Sequence, residues 1–347
     1  MKIVYYIFAS ALLLFLLFHF SSSQKPEKIT INGLSLVAPP QPVDSTSFSS
    51  VVEVGASWVA VIPYAFSMKG KPNVHFDAER QWWGEHSKGA TAQIQLAKAK
   101  GLKVMLKPHV WVRGQGWPGD FELETEEDWG VWEKDYESYI LKYAQLADSL
   151  EVELFCIGCE YRKAVVARRE FWEGLINKVR GCFKGKVTYA SNWDNYQNVG
   201  FWDKLDYIGV DGYFPLSEQK SPTLDELLTG WEKPKNELVA FAEKHEKLLL
   251  FTEIGYESTD YNTAGHWIKD KPKEPNESPQ AIAYQAFFEI WQKEEVYAGA
   301  FFWKWYLTER KGRNYETGFT PQGKEAEGVL GEVFGGIKES KFDLESN

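Results

Sequence analysis

Two glutamates each close a run of mostly apolar residues. Glu160 ends Leu154-Phe-Cys-Ile-Gly-Cys-Glu160, and Glu253 ends Leu248-Leu-Leu-Phe-Thr-Glu253. A carboxylate in such a place is costly unless it is paired or used. Either one alone could be structural, bonded to a neighbouring loop. Two that face one cavity fit a different need: a proton donor at a leaving oxygen and a carboxylate at the carbon it leaves, which is the requirement of glycosidic-bond cleavage. A carboxyl group that donates near neutral pH must be raised by apolar surroundings or a like charge, and the second glutamate supplies the latter. A separation of roughly 5–5.5 Å would make the second carboxylate a nucleophile, whereas roughly 6.5–9.5 Å would leave room for a water.

Other polar and aromatic residues follow apolar runs in the same way. They are Tyr64, then His109, Trp111 and Arg113, then Asn192, Trp193 and Asp194, then Asp211 and Tyr213, then Tyr256 close after Glu253, and finally Trp303, Lys304 and Trp305. The chain is 16% aromatic and holds 15 Trp in 347 residues, more than a core ordinarily needs. Some of these rings are therefore expected to face a ligand, and sugars offer flat C–H faces that pack on indole and phenol. Trp303 is the leading candidate for the floor of a cleft, with Trp305 sharing that role. Trp111, Trp117 and Trp193 are further stacking candidates. Trp82 and Trp83, in Arg80-Gln-Trp-Trp-Gly-Glu85, divide between a subsite wall and loop packing. Arg113 and Lys304 either bond hydroxyls or offset the acidic pair, and the second is favoured.

These residues need a frame that gathers strand ends. Short β-rich runs alternate with amphipathic helical stretches eight times, the pattern of a parallel sheet covered by helices. The expected strands are Gly33 to Val37, Trp58 to Pro63, Lys103 to His109, Glu153 to Gly158, Lys186 to Ala190, Tyr207 to Val210, Leu248 to Thr252 and Gly299 to Trp303. Helices are expected at Thr91 to Lys100, Trp129 to Ser149, Glu170 to Arg180, Leu224 to Glu246, Pro279 to Glu294 and near Gly323 to Val333. Gly101 and Gly181 stand where helices should stop. Eight such units predict an α/β fold, a single (β/α)8 TIM barrel over residues 28–337, whose working groups project from the C-terminal strand ends. Glu160 and Glu253 then follow the fourth and seventh strands. The loops after strands two, three and seven are long, and Lys269 to Pro279 reads as a rim loop.

Several function classes are disfavoured. No Gly-rich phosphate loop follows any strand, so no nucleotide cofactor is expected. A net charge of −10 and a pI near 5.3 argue against a nucleic-acid partner. His75, His86, His245 and His266 are scattered without metal-ligand spacing, so no metal is expected. Cys156-x-x-Cys159 lies in an apparent strand, where positions three apart face opposite sides, and is read as packing. With Cys182 it makes an odd set of three, too few for a disulfide framework. The sequence carries no signal of oligomeric state.

The strings Phe155-Cys-Ile-Gly-Cys-Glu160, Lys107-Pro-His-Val-Trp111, Asp206-Tyr-Ile-Gly-Val-Asp-Gly-Tyr213 and Phe251-Thr-Glu-Ile-Gly-Tyr256 resemble glycoside hydrolase family 113. That family is known for endo-β-1,4-mannanases and belongs to the large clan of retaining (β/α)8 glycosidases. The resemblance spans roughly residues 30 to 335. It implies Glu160 as acid/base, Glu253 as nucleophile and Tyr213 as the residue that orients the nucleophile. One departure stands beside the acid/base: Cys159 occupies the place where the wider clan carries Asn, which binds the sugar 2-hydroxyl. Asn192 and His109 are the candidates to replace that contact.

The resulting expectation is double-displacement hydrolysis of a β-1,4-linked mannan, glucomannan or manno-oligosaccharide. The alternatives are a β-glucanase or xylanase on the same barrel, and a surface carbohydrate-binding protein without catalysis. At the N-terminus Lys2 precedes an apolar stretch from Ile3 to Phe20, then Ser21, Ser22, Ser23 and Gln24. Residues 1–24 are thus read as a signal peptide or membrane anchor of an exported protein, secreted, periplasmic or tethered by residues 3–20. Residues 338–347 read as a polar tail.

Overall fold

The structure is a computed structural model that describes residues 30–335, except 266, 269–271 and 309–313. The proposed signal segment and the C-terminal tail lie outside the described residues. The strands are β1 (Ile31–Leu36), β2 (Trp58–Val61), β3 (Tyr64–Met68), β4 (His75–Phe76), β5 (Lys103–Leu106), β6 (His109–Arg113), β7 (Leu154–Cys159), β8 (Lys186–Asn192), β9 (Tyr207–Asp211), β10 (Leu248–Ile254) and β11 (Tyr297–Trp305). Eight of them close a parallel barrel in the order β1-β2-β5-β7-β8-β9-β10-β11, with β11 returning to β1. The expected (β/α)8 fold is the one observed.

The helices are α1 (Ser49–Glu53), α2 (Ser87–Ala99), α3 (Glu126–Ser149), α4 (Ala164–Ala167), α5 (Arg169–Cys182), α6 (Leu224–Lys244), α7 (Ser278–Trp291) and α8 (Glu325–Phe334). Their starts are written in the sequence. The Thr125 side chain accepts from the Asp128 N–H at the head of α3, and Glu126, Glu127 and Asp128 complement the dipole there. Thr223 and Glu226 form a reciprocal capping box on α6. Gly101 takes φ +78 just after α2, as a helix stop requires. Gly181 does not end its helix: α5 runs on to Cys182, and extended Phe183 stops it.

Barrel strands are buried on both faces, so two cores form. Inside the barrel, Ile31, Trp58, Met105, Leu154, Leu250 and Phe301 pack together. Between strands and helices lies a larger layer rich in aromatics. Trp132, Trp172, Trp202, Trp231, Trp291 and Trp305 are among its fully buried side chains. Much of the tryptophan surplus is therefore helix-to-barrel packing. All three cysteines are free thiols.

One element was not anticipated. The loops after the second and third barrel strands carry β3, β4 and β6, a small sheet in the order β4-β3-β6. The run read as one strand from Lys103 to His109 is divided. Pro108 has no N–H to continue the barrel ladder, so β5 stops at Leu106 and β6 restarts at His109 against β3. Among the described residues no helix is long and apolar enough to cross a membrane.

Candidate active site

Glu253 lies near the end of β10, in register with Asp211 at the end of β9. Both are buried, and Lys107, the residue after β5, reaches them from across the barrel with no solvent exposure of its own. Its Nζ donates to Glu253 Oε1 and stands 3.9 Å from Asp211 Oδ1. Tyr213 OH donates to the other Glu253 oxygen at 2.7 Å. Burial alone would raise the Glu253 pKa, but the Lys107 charge and the bonds from Lys107 and Tyr213 outweigh it and hold the carboxyl below its ordinary range. Asp211 accepts from Thr252 Oγ1 at 2.7 Å and from the Cys159 thiol at 3.4 Å. Burial dominates there and pushes Asp211 up to about 7.

Glu160 follows β7 with φ +55, a strained conformation for a residue with a side chain. Neighbours fix it. Its N–H donates to Ala190 O on β8 at 2.8 Å, its C=O accepts from the Arg162 N–H, and the Tyr161 N–H donates to Tyr189 OH. The side chain accepts from Trp117 Nε1 at 2.8 Å. Burial, then the charges of Asp211 and Glu253, drive its pKa well above the ordinary carboxylate range, against partial relief from Lys107 and Trp117.

The two glutamates are thus shifted in opposite directions, Glu160 towards keeping its proton and Glu253 towards losing it. A carboxylate oxygen of each lies within 4.8 Å of the Cys159 sulfur. His109 joins on the Glu160 side, its ring nitrogen within 4.8 Å of Cys159 and Glu160. Burial and Lys107 push the His109 pKa down to about 4, so the imidazole is neutral at neutral pH. Cys159, Asp211 and Glu253 also have donor atoms close enough for a metal. Lys107 already fills the cation position between the two acids, and burial keeps the Cys159 thiol protonated.

The family model of Glycoside Hydrolase Family 113 matches residues 41–324. The chain belongs to glycoside hydrolase family 113. This family 113 chain is similar to the solved GH113 β-mannanase AaManA from Alicyclobacillus acidocaldarius in complex with ManMIm. Identity is 27%, coverage is 89% of this chain and 98% of that one, and the TM-score is 0.77. A second structure, of a GH113 β-1,4-mannanase, is 25% identical over 90% of this chain and 100% of the other, with TM-score 0.75. A β-glucuronidase from Ruminococcus gnavus, at 13% identity, TM-score 0.60 and coverage of 88% and 50%, shares the fold alone. Comparison with curated protein sequences found no match. The protein is a glycoside hydrolase.

The family 113 barrel sorts the remaining sequence expectations by strand face. Tyr64 and Trp303 pack on the mouth of the barrel interior, and Tyr64 sets its ring 5.3 Å from that of His109. The Trp303–Lys304 peptide bond is cis, and Lys304 Nζ lies 5.9 Å from the Trp303 ring. Asn192 ends β8 and donates to Asp194 at 2.8 Å, while Trp193 stacks on Trp267 at 5.7 Å. Trp111 is exposed on β6; Trp83 is half-buried beside an exposed Trp82. Three expected substrate contacts are corrected. Trp305 points into the helix layer, fully buried, with Nε1 donating to Ser50 of α1. Tyr256 is buried against Tyr284 of α7. Asp211 sits beneath Glu253, enclosed by Lys107, Thr252 and Cys159, and is a partner of the acids rather than of a ligand. Lys107 and Trp117 in its bonding role were missed. Lys107 carried the same signal as the glutamates, a charge closing an apolar strand.

Proposed function

We propose that this enzyme hydrolyses β-1,4-linked mannan, glucomannan or manno-oligosaccharides with retention of configuration. The observation that carries the reading is the pair itself: Glu160 after β7 and Glu253 on β10 of one barrel, each with a carboxylate oxygen within 4.8 Å of the Cys159 sulfur, and shifted in opposite directions. Glu160 protonates the leaving oxygen while Glu253, oriented by Tyr213, attacks the anomeric carbon and forms a glycosyl-enzyme. Glu160 then takes a proton from the water that releases the sugar. The full-length likeness to β-mannanases supports the choice of substrate. Because the Cys159 thiol turns to Asp211 and Asn192 to Asp194, His109 is the better group for the 2-hydroxyl. Its Nδ1 has no hydrogen-bond partner among the described residues. Tyr64, Trp303 and Trp193 line the sugar path in this reading. Export by residues 3–20 would place the enzyme where polysaccharide is met.

Protein truncated before residue 25, incubated with mannan, glucomannan, cellulose, xylan and their oligosaccharides, tests both parts. We expect reducing ends from the mannans, with the first-formed product anomer β by NMR. An α first product would sink retention. Cleavage confined to cellulose or xylan would move the substrate to a β-glucan or xylan, and binding without turnover would leave a carbohydrate-binding protein.

A further inference from the structure

The sheet in the loops after the second and third barrel strands has one buried face and one open face. On β3, Ala65 and Ser67 are buried while Tyr64 and Phe66 are half-buried and Met68 is exposed. On β6, Val110 and Val112 are buried while His109, Trp111 and Arg113 turn out. The parallel register pairs these outward residues as Tyr64 with His109, Phe66 with Trp111 and Met68 with Arg113. The inner pair is already at the catalytic centre, since His109 lies beside Cys159 and Glu160. Successive outward residues stand roughly 6.6 Å apart along a strand, so the open face runs about 13 Å away from the acids. Its outer end enters a groove of about 630 Å3, lined among others by Phe66, Met68, Trp82 and Arg113.

Large apolar side chains in the open normally mark a binding surface. Here Met68, Trp82 and Trp111 are 55%, 51% and 47% exposed. The rings are also held in place. The Arg113 guanidinium caps Phe66 at 5.2 Å, and the Trp111 ring rests over Gly116. Flat aromatic faces alternating with hydrogen-bonding side chains, in line with the acids, match a chain of linked pyranoses.

We propose that this sheet face and groove hold the distal part of the polysaccharide whose cleaved linkage lies between Glu160 and Glu253. The inference rests on the hydrolase reading above and adds a site for sugars remote from the bond broken. The extra contact strengthens binding of long chains only, because a short substrate ends before Phe66 and Trp111.

The test is the double variant Trp82→Ala/Arg113→Ala, two exposed positions whose loss should leave the melting temperature unchanged. On whichever of mannan, glucomannan, cellulose or xylan the wild type cleaves, KM should rise about tenfold with kcat kept, the loss of roughly one stacking contact. Turnover of an aryl β-glycoside of the matching sugar should not change. Unchanged polymer KM, or an equal loss on the aryl glycoside, overturns the proposal. Affinity electrophoresis in gels containing each polymer reads binding without turnover, in a Glu253→Gln background. The background protein should be retarded and the groove variant should run free. Equal retardation of both overturns the groove, whereas retardation of a wild type that cleaves nothing overturns the hydrolysis reading alone.

Discussion

Lys107 serves two acids with one charge, which makes its removal the sharpest residue-level test of the site. With Lys107→Met, Glu253 keeps its burial and loses its cation, so its pKa must rise. The acid limb of the kcat/KM profile should move to higher pH, and the rate at the optimum should fall about 10²-fold, the scale of one lost electrostatic partner. An acid limb that stays in place would mean that Lys107 does not set the Glu253 charge. Glu160→Ala probes the other limb. Turnover of polysaccharide should fall by roughly 10²–10⁴, because the leaving oxygen needs a proton, while an aryl glycoside with a good leaving group should stay reactive. The alkaline limb, which reports loss of the raised Glu160 proton, should vanish for that substrate. At this scale a charge closing an apolar run marked a residue of the barrel mouth, since Glu160 and Glu253 both stand at barrel strand ends beside Cys159. The sequence misled at Trp305 and Tyr256, since a residue at a strand end can point into the helix layer as readily as into the mouth.

Elements explain why the barrel was legible and the small sheet was not. Each barrel strand is buried on both faces and reads as a short apolar run between turn signals, a pattern that needs no knowledge of its partners. Of the outward positions in β3 and β6, Tyr64, Phe66, Met68 and Trp111 are apolar or aromatic and His109 and Arg113 are polar, so the alternation that marks a half-exposed strand is blurred. The division at Lys107-Pro108 was visible only as a missing N–H. The seam between first and last strands carries its own test. Gly299 in β11 takes φ +140, and a Cβ there would lie 2.3 Å from Ile31 O on β1. Gly299→Ala should therefore part the seam and cost about 1–3 kcal/mol. That would lower the urea midpoint with an unchanged slope, and an unmoved midpoint would mean that the backbones yield freely.

For the whole molecule, the pH dependence of stability follows from how acids are distributed between surface and core. Asp77 and Asp206 have pKa values below their ordinary range: burial opposes this, but Lys142 and the Ser87 hydroxyl and N–H hold Asp77, and the Val187 N–H, Arg180 and Lys186 hold Asp206. Groups of this kind stabilise the fold above their ordinary pKa of 3.8, and that contribution is lost as acid protonates them. In the barrel mouth Glu253 behaves like these surface acids, but for Asp211 and Glu160 the sign reverses. Asp211 is raised from 3.8 to about 7, chiefly by burial, so the folded state binds its proton more tightly than the unfolded chain does. Its contribution is full below 3.8 and fades as pH rises towards about 7, and Glu160, also raised, adds a loss of the same sign. His109 opposes this, because its pKa, lowered from 6.5 to about 4, makes the fold gain stability as pH rises through that range. Above 6.5 that gain is complete while the losses at Asp211 and Glu160 continue, so the melting temperature should stop rising and decline on the neutral side of 6.5. Asp211→Asn carries no proton to lose, so across pH 5 to 8 the melting temperature of that variant should rise more, or fall less, than that of the wild type. A pH dependence identical to that of the wild type would place the linkage elsewhere than in the Lys107–Asp211–Glu253 cluster.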